Sequence, residues 1–262
     1  MIETALFTWK HHEENISLWQ SFLWCGSVNW ARRHFKNVVL ISDEKGEDLL
    51  FNKLDFPFTE RLRLPSIPSK LLHIYGIAKL MGDQMLAEQN IPFVQIDYDA
   101  FLRKALPSRM LSAKFLAEFE YGKKEFAIDI NSKLHTPLLI KEGGYAAGIR
   151  GGNDCARIYN MCSRSIDEAL KPQNLDFLIT QNGYQASCVF EELASYAEFK
   201  GESEFIFPTT QSHQDYLRAG YIHLAGDLKK ERGALAQMAV RVQLDFPEQF
   251  TKTSTKFDNI YN

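Results

Sequence analysis

Asp97 and Asp99 stand two residues apart, directly after the apolar run IPFVQI at 91–96. In an extended backbone, residues i and i+2 point the same way, so two carboxylates would converge on one spot. Anionic oxygens that close repel unless a cation or a hydrogen-bond donor lies between them. A hard divalent ion, Mg²⁺ or Mn²⁺, accepts such oxygens and keeps coordination sites open for a diphosphate. The competing reading is a surface turn, where aspartate is common. The place after a buried strand and before the apolar AFL favours the ion. A second cluster lies in YIHLAGDLKK at 221–230, with the spacing His223-x-x-Gly226-x-x-Lys229. Imidazole ligates Mn²⁺, glycine lets a backbone approach phosphate closely, and lysine neutralises its charge. A lone histidine beside a strand is usually a hydrogen-bonded structural residue; the conjunction with Asp97 and Asp99 makes His223 a ligand candidate.

Three further segments bear on chemistry. The stretch EGGYAAGIRGGND at 142–154 carries five glycines but fits neither a P-loop nor a GxGxxG fingerprint. It reads either as a close approach of backbone to a ligand or as a tight turn, with Asn153 or Asp154 capping the helix that follows. Glu191 and Glu192 form a carboxylate pair that could stabilise positive charge at a sugar carbon, or decorate the first turn of a helix. HHEE at 11–14 lacks HExxH spacing and is set aside as a metal site. Cys155 and Cys162, seven residues apart, read as one buried helix face.

The elements that must position these groups follow from periodicity. Residues 4–8 form a short strand and 15–34 a helix with Leu18, Phe22, Cys25 and Val28 on one face. NVVLIS at 37–42 is apolar on both faces, as in a buried parallel strand. A short helix ends near Asn52, 55–69 with its three prolines reads as an extended connection, 70–89 is helical, and 91–96 is a strand. This β-α-β-α-loop-α-β order implies a doubly wound parallel sheet, where ligands bind beyond the carboxyl ends of strands. Beyond residue 107 the alternation weakens and a mixed sheet is expected. Its strands fall at 125–130, 137–140 and 204–208, and its helices at 153–169, 188–199 and 233–243. The polar tail at 251–262 is expected to be mobile or to fold over the site as a lid.

At 262 residues the chain fits one α/β domain, with a nucleotide-binding half at about 1–107 and a second half at about 108–250. A formal net charge of −3, with basic residues only in doublets, leaves no footprint for nucleic acid. No apolar run approaches 18 residues, and the first residues lack a basic and apolar leader pattern. Four cysteines, at 25, 155, 162 and 188, show no CxxC spacing, which fits reduced thiols and a cytoplasmic protein.

Together these residues resemble the GT-A glycosyltransferases, glycosyltransferase family 8 and related bacterial DxD-sugar families in particular. IPFVQIDYDAFLRKALP is similar to their strand ending in DxD, SVNWARRHFKNVVLISDEKG to the helix, strand and acidic turn before it. YAAGIRGGND resembles the family segment FNAGV, and HLAGDLK matches its HxxGxxK motif. The matches fall in order over residues 4 to about 230. The resemblance implies a GT-A-like, Rossmann-like mixed sheet flanked by helices. It implies that Asp97, Asp99 and His223 bind the divalent ion and that Gly226 and Lys229 contact the diphosphate. Lys79 would lie near the nucleotide, with Tyr98 beside it inside the DxD. Phe7 and Thr8 would border the base, and Ala147 and Gly148 would line the donor sugar. Glu191 and Glu192 would face the reacting sugar. The chain departs from the family where Ala146 replaces asparagine, where Glu191-Glu192 replaces Asp-Gln, and where Lys230-Glu231 follows Lys229 in place of Pro-Trp.

The implied activity is metal-dependent glycosyl transfer from a nucleoside-diphosphate sugar, UDP-linked by preference, to a glycan, lipid or protein acceptor, with retention of configuration. Two other readings stand beside it. A nucleotidyltransferase or phosphohydrolase would use the same paired aspartates, and a catalytically silent GT-A-like domain would bind nucleotide or act as a scaffold.

Overall fold

The computed structural model describes residues 1–10, 16–66, 75–121, 143–175, 183–207, 214 and 218–261, with the backbone alone at 183–189, 227 and 229. The first strand, β1 (Thr4–Trp9), is buried along its whole length. Ala5, Phe7 and Trp9 face one apolar core and Leu6 faces another, so helices must cover both sides of the sheet. Helix α1 (Leu18–His34) starts at a reciprocal cap between Ser17 and Gln20 and ends on Arg32, Arg33 and His34, each suited to its end of the helix dipole. Strand β2 (Asn37–Ser42) leads to Asp43, whose carboxylate caps α2 (Glu44–Glu47), and that helix runs on as a wider π turn over Asp48–Lys53.

β3 (Glu60–Arg63) follows, and it corrects the expected extended connection at 55–69. It adds in parallel to β2 as the sheet's outer strand. Pro57 and Pro65 flank the strand without interrupting it, and an edge strand tolerates proline nearby. Helix α3 (Tyr75–Glu88) then leads into β4 (Phe93–Ile96).

After β4 come β5 (Ala100–Leu102), the short α4 (Ser108–Leu111), β6 (Phe115–Ala117), β7 (Glu120–Tyr121), β8 (Gly144–Tyr145) and β9 (Ile149–Gly152). Helices α5 (Cys155–Ala169) and α6 (Gly183–Phe199) precede β10 (Ser203–Phe205) and β11 (Tyr221–His223). The last elements are a 3₁₀ turn over Gly226–Lys230, α7 (Arg232–Asp245) and α8 (Pro247–Tyr261). The strands expected at 125–130 and 137–140, and HHEE at 11–14, lie outside the described residues.

Among the described residues, seven strands make one sheet in the order β10-β6-β9-β4-β1-β2-β3, drawing on residues from both the 1–107 and the 108–250 stretches. All neighbours run parallel except β9, which is antiparallel to both β4 and β6. The mixed sheet expected from the sequence is therefore present. The Gly151-Gly152 doublet belongs to this antiparallel strand. Gly151 has φ +145°, and a Cβ there would stand 2.2 Å from the Phe93 carbonyl oxygen. One at Gly152 would stand 2.0 Å from that of Lys114. The doublet lets β9 pass between β4 and β6; it makes neither a tight turn nor a phosphate cradle.

Helices α3, α5 and α6 pack together on one face of the sheet, and α1, α7 and α8 on the other. Asp154 caps α5 through Arg157 N–H at 3.3 Å, an interaction worth about 1 kcal/mol, and Cys155 and Cys162 are core residues as expected. The tail is neither a loose end nor a lid. Phe250, Phe257 and Ile260 recur at helical spacing, and Phe250 stacks on Phe22 of α1 with ring centroids 4.1 Å apart. The Tyr261 hydroxyl accepts from Ile16 N–H, and Thr253 is buried. Among the described residues no helix is long and apolar enough to cross a membrane.

Candidate metal centre

The carboxyl end of β4 delivers Asp97, and the turn that follows is pinned from three sides. Asp97 N–H donates to Gly148 C=O at 3.0 Å, Ala100 N–H donates back to Asp97 C=O at 3.0 Å, and the Ser27 hydroxyl of α1 reaches the carbonyls of Asp97 and Ala100. Residues 98 and 99 thus sit in a turn closed by that Ala100 bond, where the sequence suggested extended alternation. The two carboxylates converge by turn geometry. Between them Tyr98 stacks on Trp24 (5.4 Å, 16°) and meets Trp9 edge-on, which holds its ring to the core.

A second strand pair brings the third group. β11 runs antiparallel to β5 with His223 opposite Ala100, and Leu224 N–H donates to Asp99 C=O at 2.9 Å. That register lifts the imidazole over the DYD turn. One side-chain atom from each of Asp97, Asp99 and His223 lies within 4.8 Å of the others. Two carboxylates and one imidazole suit a hard or borderline divalent ion such as Mn²⁺ or Mg²⁺, so these residues fit the implied metal.

Behind Asp97 stands a buried chain of charges. Lys79 Nζ is 2.7 Å from Asp97 Oδ1, 2.6 Å from Glu191 Oε1 and 2.9 Å from the Ala147 carbonyl, while the Tyr75 hydroxyl also donates to Asp97 Oδ1. Arg150 of β9 continues the chain to Glu191, at 2.8 Å, to Ser195, and to Asp83 of α3. Burial alone would strip the charge from Lys79, but Asp97 and then Glu191 outweigh it and hold the ammonium above its ordinary pKa. Arg150 is held charged against burial in the same way by Asp83 and Glu191.

His223 has its own anion. Nδ1 lies 2.8 Å from Glu118 Oε2, and Nε2 lies 3.7 Å from Asp99 Oδ1. Burial disfavours the imidazolium, yet Glu118, with smaller help from Asp99 and Asp97, raises the ring's pKa to about 9. A Cβ on Gly148 would stand 2.3 Å from His223 Nδ1 and 2.8 Å from Glu118 Oε2. Glycine is therefore required at 148 by close packing.

The remaining expected site residues are distributed unevenly. Ala147 and Gly148 adjoin the cluster through Lys79 and His223. Gly226, at φ +60° with open space beside it, opens the 3₁₀ turn that carries the backbone of Lys229, whose side chain lies outside the described residues. Glu191 is buried between Lys79 and Arg150, and half-buried Glu192 accepts from the Tyr121 hydroxyl. Phe7 turns into the core against Trp24 and Phe58, and Thr8 donates to Gln95, so neither side chain reaches the cluster. All three Lys79 N–H donors are used within the protein, so this residue stands behind Asp97 with none to offer a nucleotide.

Sequence reasoning missed Glu118, Arg150, Asp83 and Tyr75. A signal existed for one of them. Asp83, a charge inside the apolar run GIAKLMGDQM, had to find an opposite charge if that helix was buried, and it finds Arg150.

Similarity to solved structures extends to the fold. The apo structure of the bifunctional glycosyltransferase WbbM superposes with a TM-score of 0.50 and 14% identity, covering 92% of this chain and 49% of its own. The chain thus spans about half the length of that protein. An active-site mutant of LgtC (TM-score 0.47, 14% identity, 91% of this chain, 95% of its own) is also similar. So is mouse xyloside xylosyltransferase 1 in apo form (TM-score 0.40, 13% identity, 78% and 84%). The parallel-rich sheet with one antiparallel strand and helices on both faces is the GT-A fold. The chain belongs to DUF6734, a family of unknown function whose model matches residues 7–256. No curated protein matches it significantly.

Proposed function

We propose that this protein is a metal-dependent glycosyltransferase that moves a sugar from a nucleoside-diphosphate donor, UDP-linked by preference, to an acceptor. The observation that carries the reading is the convergence of Asp97, Asp99 and His223 at the carboxyl end of β4 within a GT-A fold. Their two carboxylates and imidazole would hold Mn²⁺ or Mg²⁺, and a bound ion would act as a Lewis acid toward the departing diphosphate. Lys79 and Tyr75 fix the Asp97 carboxylate, so that ligand is preorganised. Gly226 leaves room for a phosphate beside the backbone, and Lys229, three residues on, would add positive charge.

Glu191, already held by two cations, anchors the floor of the site. Glu192 is the carboxylate of the pair with an accessible edge, suited to stabilising positive charge at the sugar carbon. Retention of configuration, implied by the resemblance, belongs to the same proposal, as does a cytoplasmic location. A cavity of ≈ 410 Å³ is lined by Leu102, Lys104, Arg109, Phe207, Arg218 and Tyr221, whose hydroxyl reaches Glu118.

Incubation with a panel of UDP-, GDP-, CDP- and dTDP-sugars plus Mn²⁺ tests the reaction class by its products. Release of nucleoside diphosphate is the predicted outcome. Pyrophosphate or sugar phosphate would instead indicate a nucleotidyltransferase or phosphohydrolase. Ala146, where the family resemblance calls for asparagine, favours a second reading, a domain that binds nucleotide without turnover. Under it, no product forms although nucleotide binds.

A further inference from the structure

We infer that Glu118 is a positioning residue that sets the tautomer and aim of His223 toward the divalent ion. The inference rests on the metal reading of Asp97, Asp99 and His223 given above. Glu118 follows β6, which runs parallel to β4 because both are antiparallel to β9. It therefore leaves the sheet at the same edge as Asp97, on the opposite side of β9. Its side chain is 2% exposed, and Phe207 N–H fixes its backbone carbonyl at 3.1 Å.

A carboxylate only accepts hydrogen bonds, so the 2.8 Å contact places a proton on His223 Nδ1 and makes it the donor. Nε2 is then the nitrogen that faces Asp99, at 3.7 Å, with its lone pair available once it is neutral. Two neighbours hold the carboxylate in that role. Tyr221, two residues before His223 and on the same face of β11, donates its hydroxyl to the same Oε2 at 3.2 Å. Gly148 closes over the pair, since even a methyl group there would collide with both the imidazole and Oε2. The contact is thus buried, bidirectionally braced and aimed. Outer carboxylates of this kind govern metal affinity through the ligand they orient, and losing one weakens binding about 10–100-fold.

The test is Mn²⁺ affinity, measured by calorimetry and by the paramagnetic signal of free Mn²⁺, on the full chain without nucleotide. Glu118→Ala should weaken binding 10–100-fold, and Glu118→Gln should recover most of it, because the amide oxygen still accepts from Nδ1. The decisive comparison is in the His223→Ala background, where Glu118→Ala should cost almost nothing more. An equal loss with and without His223, or unchanged affinity in Glu118→Ala, would overturn the inference. Should Glu118→Ala fail to fold, the same cycle with Glu118→Gln applies. A few-fold loss that vanishes without His223 supports the role, and one that persists refutes it. Absence of Mn²⁺ binding by the unsubstituted protein would sink the metal reading itself, and this inference with it.

Discussion

The Lys79 ammonium touches Asp97 Oδ1 at 2.7 Å and Glu191 Oε1 at 2.6 Å, from a position only 1% exposed to solvent. It ties the candidate metal ligand at the end of β4 to the helix α6 beyond. Removing the cation would leave two carboxylates close together with little water to screen them. Lys79→Met should therefore destabilise the fold by about 3–5 kcal/mol, the usual cost of breaking one partner out of a buried pair. Urea unfolding reads this directly. A variant as stable as the parent would mean that the charge chain does not form.

Gly148 offers a test confined to the site. A methyl group at 148 would meet His223 Nδ1 at 2.3 Å, whereas one at Gly233 meets nothing within 4 Å. Gly148→Ala should weaken Mn²⁺ binding at least tenfold by displacing the imidazole, on the scale of a lost outer partner. Gly233→Ala, in the first turn of α7, should leave affinity unchanged and raise stability by up to about 1 kcal/mol. Equal affinities in calorimetry would show that His223 is not held where we place it.

Cys25 reports on the C-terminal helix. Burial pushes its thiol up to about 11, against hydrogen bonds from Thr253 and Asn29 that lower it. At pH 8 only about a thousandth would be thiolate, the reactive form. In the native chain Cys25, Cys155 and Cys162, all buried, should resist thiol reagents until the fold opens. Deleting 247–262 removes Phe250 and Thr253 from α1, and should make Cys25 react and lower the unfolding temperature. A tail acting as a lid would instead change ligand affinity and leave Cys25 protected.

Much of this was legible from residue order, and the limits are physical. Buried runs such as NVVLIS and IPFVQI declare parallel strands, and Asp97, Asp99 and His223 are named by type and spacing. The three meet because β5 and β11 pair in one particular register, and no local pattern encodes a pairing across more than a hundred residues. Glu118 was invisible for the same reason, since its partner His223 is 105 positions away. Phe7 and Thr8 show the converse limit. They lie near the end of β1 on opposite faces of the sheet, and because helices cover both faces Phe7 packs against Trp24 while Thr8 is buried on Gln95. In the tail, polar composition hid a helix whose apolar positions are few but regularly spaced.

We propose Asp97, Asp99 and His223 as a divalent metal site serving a nucleotide. The most direct measurement is thermal unfolding with UDP, with Mn²⁺, and with both, for the parent chain and for Asp99→Ala. Both ligands together should shift unfolding by several degrees, near 100 times Kd for a chain of this size, and UDP alone should not shift it. Asp99→Ala should abolish that shift. A shift with UDP that ignores Mn²⁺, or one that survives in Asp99→Ala, would contradict this assignment.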